Sequence, residues 1–279
     1  MPGSNPRAIA KARTLPADAV ALDLEDAVAP DAKAEARRTI AQELNEGGFG
    51  KRMRIVRINA LSSEWGADDI AAMANVPCDA ILAPKVDSAT DVKALATAMA
   101  NAGYPQHVGL WAMIETPQAI LNLAEIAACA QDTPLAGFVL GLNDLAKDTG
   151  MAQKPGRAVF QPVLTMSVIA ARANGLLMID GVCNALDDDA RMEAECQQAR
   201  DCGFDGKTVI HPRQIDPANR IFAPSADEIA EAQAIVDAFA DPANAGTGAL
   251  RIAGKMVERL HLVQAEACLA RVRSIAERG

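Results

Sequence analysis

A chain of 279 residues, half of them apolar, is long enough to bury one large core, and barrels of about 250 residues fold as single units. A net charge of −9 with only 3% aromatic residues argues against wrapping a nucleic acid, which needs a basic face and stacking rings. No run of about 20 uncharged apolar residues occurs and the start MPGSNPRA lacks the charged-then-apolar order of a secretory signal, so a soluble, cytoplasmic protein with no membrane partner is expected.

In chain order, short apolar runs recur at intervals of roughly 25 to 30 residues, with Ala-rich stretches of helical spacing between them. The first, VALDLED, runs directly into Asp23, Glu25 and Asp26. MRIVRIN (Met53–Asn59), DAILAPK (Asp79–Lys85), LWAMIET (Leu110–Thr116), GFVLGLND (Gly137–Asp144), LLMIDG (Leu176–Gly181) and KTVIHP (Lys207–Pro212) follow. Most are apolar on both faces, as strands of a parallel sheet covered by helices must be.

Seven such units nearly complete a (β/α)8 TIM barrel, and a doubly wound open sheet is the competing α/β architecture. The run ends favour the barrel: Asp26, Asn59, Lys85, Glu115, Asp144, Asp180 and His211 are all charged or hydrogen-bonding. A closed barrel points every one of those ends at one mouth, whereas an open sheet gathers only those near its switch point.

Further on, SADE (Ser225–Glu228) reads as a capping box that opens a helix to about Phe239. DPANAGTGA is a turn-rich joint, and LHLVQAEACLARVRSIAER is a final amphipathic helix. This divides the chain into a catalytic barrel domain, 1–240, and a C-terminal helical lid or subunit contact, 241–279. The six cysteines show no CxxC spacing, so buried free thiols are expected rather than a zinc cluster or a disulfide framework.

Glu115 and Asp144 each end an apolar run. Two carboxylates meeting in an apolar mouth repel and lose hydration unless a divalent cation lies between them; otherwise each caps the helix that follows. With oxygen ligands only, Mg²⁺ is the expected ion and Mn²⁺ the fallback. Arg57, inside an apolar strand, needs an anionic partner, which the acidic triplet supplies either as a structural ion pair or as part of a site. Lys85 belongs to the same rim and either pairs with a carboxylate or meets a ligand. His211 before Pro212 reads as a hydrogen-bonded core histidine rather than a catalytic one. No GxGxxG or GxxxxGK[ST] occurs, which weighs against nucleotide chemistry.

The segments PGSNPRAIAKARTLPADAVALDLEDAVAP, VRIN, APKV, IETPQAI, GLNDLAKD, IDGV, GFDGKTVIHPRQI and GKMVERLHLVQAEA together resemble, in order and spacing, the citrate lyase beta subunit-like branch of the HpcH/HpaI aldolase superfamily. The resemblance implies a (β/α)8 barrel, a homotrimer or a hexamer of trimers, and a Mg²⁺-dependent carbon–carbon lyase. Such an enzyme cleaves or forms a β-hydroxyacyl-CoA such as citryl-CoA, malyl-CoA or citramalyl-CoA, with a 2-keto acid as the second partner. It implies Glu115 and Asp144 as metal ligands and Arg57 as the arginine beside the keto acid and thioester oxygen. Asp23 joins the catalytic group, while Glu25 and Asp26 stand behind the metal and hold its waters and Arg57. Ser4, Asn5 and Arg7 become candidate CoA contacts at a helix start, with Arg13, Lys51 and Arg52 unranked beside them.

Two departures qualify this. Relatives begin with an extra strand of the form WLFVPGS, so the first barrel strand here is expected to be missing or reduced to its last residues. Relatives also carry GKMID, with an Asp that reaches toward the acyl group, often from a neighbouring subunit; here the position is Glu258, one methylene longer. Competing readings are an aldolase acting on hydroxy-keto acids without CoA, and a non-catalytic CoA or keto-acid binding subunit.

Overall fold

The computed structural model describes residues 1–278 and is an α/β structure built on a seven-stranded, all-parallel sheet. The strands are β1 (Ala19–Asp23), β2 (Met53–Arg57), β3 (Ala80–Ala83), β4 (Gly109–Ile114), β5 (Leu135–Leu140), β6 (Leu177–Asp180) and β7 (Gly206–Lys207). They lie side by side in sequence order, β1 to β7, with no reversal. A doubly wound sheet reverses its order at a switch point, so that alternative is excluded.

The helices are α1 (Pro6–Ala12), α2 (Lys33–Glu46), α3 (Gly66–Met73), α4 (Ala89–Ala102), α5 (Pro117–Leu121), α6 (Leu123–Ala128), α7 (Leu142–Thr149), α8 (Gln161–Ala173), α9 (Asp189–Cys202), α10 (Ile215–Phe222), α11 (Ala226–Ala240) and α12 (Arg259–Arg278). Contacts run α1 to α2, α2 to α3, α3 to α4, α4 to α6, α6 to α8 and α8 to α9, a row of neighbours that follows the strands. The sheet is therefore curled, with a row of helices on one side and its own side chains meeting on the other.

Strand alternation sorts the residues between those two sides. Ala21, Met53, Ile55, Ala80, Leu82, Trp111, Met113, Val139 and Ile179 form one inner cluster drawn from six strands. Their alternates, among them Leu22, Val56, Ile81, Ala112, Phe138 and Met178, are fully buried. Gly137 is required opposite Trp111, since a Cβ there would stand 3.0 Å from the indole. The Trp111 indole nitrogen is buried and no protein group accepts from it.

The N-terminal residues lie along the free edge of β1. Pro2 forms a parallel bridge with Asp23; Asp23 N–H donates to the Met1 carbonyl and Gly3 N–H to the Asp23 carbonyl, both at 2.8 Å. These bonds satisfy backbone groups that β1 would otherwise expose at its edge. Gly3 is demanded by the approach, because a Cβ would stand 2.8 Å from the Asp23 carbonyl oxygen and 2.7 Å from Ile40.

KTVIHP is a strand only at its start. Thr208 N–H still donates to the Asp180 carbonyl, but the Ile210 and His211 amides go to Gln214 Oε1, so the ladder ends and Ile210 is exposed. His211 is exposed rather than a core residue: its Nδ1 accepts from Arg213 N–H and caps the 3-10 turn Pro212–Gln214. Among the cysteines, Cys78, Cys129, Cys183 and Cys196 are buried as expected, while Cys202 and Cys268 are half-buried; all six are free thiols.

The chain divides into two compact units, Met1–Asn219 and Arg220–Gly279. The expected boundary at 240/241 falls inside the second unit, after α11, whose Ser225–Glu228 capping box forms as predicted. Between α11 and α12 the turn-rich stretch also holds an antiparallel hairpin, β8 (Ala249–Ile252) and β9 (Lys255–Glu258), that the sequence reading passed over. Ala253 and Gly254 both take positive φ, the backbone of a tight two-residue hairpin turn. Ala232, Ile235, Val257 and Ala265 form the core of this unit. No helix among the described residues is long and apolar enough to cross a membrane.

Asp180 follows Ile179 on β6 and so turns to the helix side, away from the inner cluster, where it is fully buried. Arg157 Nη1 donates to both its oxygens at 2.9 and 2.8 Å, and Lys207 Nζ at 2.7 Å. Asp180→Ala leaves two buried cations without their shared anion and should cost about 3–5 kcal/mol, measured by urea denaturation.

Candidate active site

The inner face ends in charge. Asp23 closes β1, Arg57 closes β2 directly opposite it in the register, and Glu115 stands one residue beyond β4, two after the inner residue Met113. The alternation that fills the interior with Ile55, Leu82 and Trp111 thus delivers Asp23, Arg57 and Glu115 to its upper rim.

Arg57 and Asp23 form a bidentate pair, Nε to Oδ1 at 2.7 Å and Nη2 to Oδ2 at 2.5 Å. Asp23 also accepts from the amides of Glu25 and Ala27. Burial alone would raise its pKa, but Arg57 and these amides outweigh it and hold the carboxyl below the usual range. Arg57 Nη1 lies 2.8 Å from Glu25 Oε2, 3.7 Å from Asp26 Oδ2 and 3.9 Å from the Met113 sulfur. Asp26 is largely exposed and holds Arg57 weakly. Glu25 is different: its Oε2 is buried and, although near Arg57, lacks a directed hydrogen bond. Burial, with Asp26, Glu115 and Asp23 around it, outweighs the pull of Arg57 and pushes its carboxyl up to about 7.

Lys33, which the sequence reading did not single out, anchors the acidic loop from below. Its buried ammonium donates to the Leu24 and Glu25 carbonyls at 2.8 Å and to Asn59 Oδ1 at 2.7 Å, and stands 5.0 Å from the Trp65 ring. Burial lowers its pKa despite the nearby carboxylates. Its spacing with Ala36, Ile40 and Leu44, the buried stripe of α2, was the available signal. Asn59 is committed to structure: its backbone and side-chain amides donate to Asp69, which also receives Arg37.

On the other side of the rim, Glu115 and Asp144 reach the same ammonium. Lys85 Nζ is 3.2 Å from Glu115 Oε1 and 2.6 Å from Asp144 Oδ1, and the Lys85 backbone N–H donates to Glu115 Oε1 at 2.9 Å. Glu115 is fully buried, and burial raises its pKa even against Lys85. Burial pulls Asp144 the same way, but Lys85 and Lys147 prevail and hold it below the usual range. Helix capping does not explain Glu115, because Thr116 is the N-cap of α5, accepting from Ala119 N–H. Asp144 does lie in the first turn of α7, where a carboxylate is favoured by the helix dipole. Gly141 makes the approach possible: a Cβ there would stand 2.4 Å from Glu115 Cβ and 2.7 Å from its Oε2.

Other candidates are placed elsewhere. Asn5 spends its Oδ1 as the N-cap of α1, with Ser4 and Arg7 exposed beside it. Arg13 and Arg52 have structural work: Arg13 pairs with Glu43 and donates to the Gly47 carbonyl, and Arg52 donates to the Leu15 and Phe49 carbonyls. Glu258 ends β9 in the second unit, exposed, with its backbone N–H donating to His261 Nδ1. Among the described residues, no group of three or more His, Cys, Asp or Glu is arranged to hold a metal ion. What the first unit presents is two carboxylates sharing a cation beside an arginine held by a second acidic group. Such a rim suits an oxyanion or a chelating oxygen ligand.

The family described as HpcH/HpaI aldolase/citrate lyase matches residues 1–212. The chain is 47% identical over 279 residues to the (3S)-malyl-CoA thioesterase of Cereibacter sphaeroides (strain ATCC 17025), covering all of this chain and 95% of the relative. It is 33% identical over 283 residues to citrate lyase subunit beta of Escherichia coli (strain K12), covering 98% and 93%. Protein CitE from Mycobacterium tuberculosis, in complex with magnesium, acetoacetate and coenzyme A, superposes with a TM-score of 0.79 at 31% identity, over 97% of this chain and 95% of that one.

Two outcomes are expected from this geometry. The Glu25 carboxyl ionises near 4.5 in the unfolded chain and near 7 in the fold, so the folded state holds the extra proton and loses stability as pH rises through that window. Glu25→Gln escapes this loss, and its stability relative to wild type should grow between pH 5 and pH 8 by up to about 2–3 kcal/mol in denaturant titrations. Gly141→Ala should cost about 1–3 kcal/mol in thermal unfolding, because Glu115 or α7 must shift to admit the methyl group.

Proposed function

The chain belongs to the HpcH/HpaI aldolase/citrate lyase family, and we propose that it is a Mg²⁺-dependent enzyme acting on a carboxylated β-hydroxyacyl-CoA, with (3S)-malyl-CoA the leading substrate. The observation that carries this reading is the convergence of Glu115 and Asp144 on one cation position beside Arg57. In this reading the fold is a (β/α)8 barrel in which the Pro2 bridge to Asp23 marks the place of the first strand, and residues beyond 240 serve as a lid or subunit contact.

The donor set fits magnesium. Both side chains offer hard oxygens, the Lys85 ammonium bridges them, and Mg²⁺ keeps several waters, so two protein carboxylates suffice. Bound there, the ion would supply Lewis acidity toward the oxygens of the substrate's hydroxy-acid end. The chain's own groups do the rest. Arg57 commits Nε and Nη2 to Asp23, which fixes the plane of the guanidinium, and Nη1, now 2.8 Å from Glu25 Oε2, is the nitrogen that would exchange that partner for a substrate oxygen. Negative charge developing on a thioester or enolate oxygen is stabilised by that fixed donor without reorganisation. Glu25, its carboxyl pushed up to about 7 by burial, holds or releases a proton near neutral pH. Ser4, Asn5 and Arg7 remain the proposed contacts for the CoA nucleotide.

Thioester hydrolysis is the favoured outcome, supported by 47% identity across the whole chain to a (3S)-malyl-CoA thioesterase. Carbon–carbon cleavage is the second reading, supported by the likeness to citrate lyase subunit beta and by an arginine placed to stabilise an enolate. Purified protein with Mg²⁺ and (3S)-malyl-CoA should yield malate and free CoA in the first case and glyoxylate and acetyl-CoA in the second, resolved by mass spectrometry. Glu115→Gln and Asp144→Asn should each lower kcat/KM about 100-fold or more. Neither product pair forming from malyl-CoA or from a panel of related 3-hydroxyacyl-CoA esters would overturn the proposal.

A further inference from the structure

We propose that Lys85 is a built-in, displaceable counterion: its ammonium occupies the two-carboxylate position in the metal-free protein and must leave when a divalent cation enters. The inference rests on the magnesium reading above and adds to it a residue that opposes metal binding.

Lys85 Nζ sits on Asp144 Oδ1 at 2.6 Å and within 3.2 Å of Glu115 Oε1, between the two carboxylates that would share a cation. An ammonium and a dication would not both be seated between the same two carboxylates, because like charges at that separation repel strongly. Removing the ammonium with nothing in its place is also unfavourable. Glu115 is fully buried and faces Asp144 across the gap, so the pair needs a positive charge in either state.

The backbone supports exchange rather than a permanent bridge. Lys85 is a non-glycine residue with φ +52°, in the left-handed region that such residues seldom adopt. That conformation directs its backbone N–H to Glu115 Oε1 at 2.9 Å, so Glu115 stays oriented by the main chain when the side chain departs. The side chain is one-third exposed, which gives its flexible stem a route out of the gap. Lys147, 3.6 Å from Asp144 Oδ1 and mostly exposed, gives the carboxylate a weaker partner that does not enter the gap.

The test uses the full chain, stripped of metal, titrated with Mg²⁺ alone by calorimetry. Lys85→Met should bind Mg²⁺ about tenfold tighter than wild type or better, since a charge-assisted contact no longer has to be broken. Without metal the same variant should melt at a lower temperature than wild type, and Mg²⁺ should restore it. Lys85→Arg, which keeps the charge, should bind within about threefold of wild type. Lys85→Gln replaces the Met variant if the latter does not fold without metal. In wild-type protein, an Nζ ammonium signal protected from exchange in ¹H–¹⁵N spectra should be lost on adding Mg²⁺. Affinity unchanged or weakened in the uncharged variants, or an ammonium signal indifferent to Mg²⁺, overturns the role of Lys85 while leaving the metal site intact. No Mg²⁺ binding by wild type or variants overturns both.

Discussion

The Arg57–Asp23 pair is the contact on which the mouth of the first unit depends. Three carboxylates and a guanidinium stand at the ends of neighbouring strands, on a face whose lower layers are Ile55, Leu82, Trp111 and Met113. In such surroundings a lone carboxylate is costly, and most of the polar groups present have a cation beside them. Asp23 takes both oxygens' worth of Arg57, the carbonyls of the acidic loop take Lys33, and Glu115 shares Lys85 with Asp144. Glu25 is the member left short, which is why its proton stays on to near neutral pH.

Charge on the helix side of the sheet follows the same physics with a different result. Asp180, Arg157, Lys207 and Glu195 form a network in which Lys207 also donates to the Gly181 carbonyl and Arg191 joins through Glu195. Each anion there is matched by a cation, so the network ties β6 and β7 to α9. A single step along β6, from Ile179 to Asp180, decides which side of the sheet a residue serves.

The alternation of strands and helices, the parallel sheet and the grouping of Asp23, Arg57, Lys85, Glu115 and Asp144 were legible because each depends on local pattern: an apolar run followed by a residue that cannot remain unpaired. Lys33 escaped notice because a lysine at a helix start reads as solvated surface, and its partners are main-chain carbonyls that leave no mark in composition. Asp180 was assigned to the mouth because strand ends were treated as equivalent, whereas the parity of β6 sends it outward. The β8–β9 hairpin was lost in a stretch rich in Gly and Ala, where an Ala–Gly turn carries less signal than Asn–Gly. His211 was misjudged because its capping role depends on Gln214, three residues ahead.

The placement of the two indoles gives the protein a pair of native optical probes. Trp111 lies buried in the inner cluster, and Trp65 is half-buried against the Lys33 ammonium that carries the acidic loop. Light emitted by the first therefore reports on the integrity of the inner layer, and light from the second on movement at the loop. With Trp111 replaced, occupancy of the mouth can be followed in real time on unlabelled material, without any chromophoric substrate.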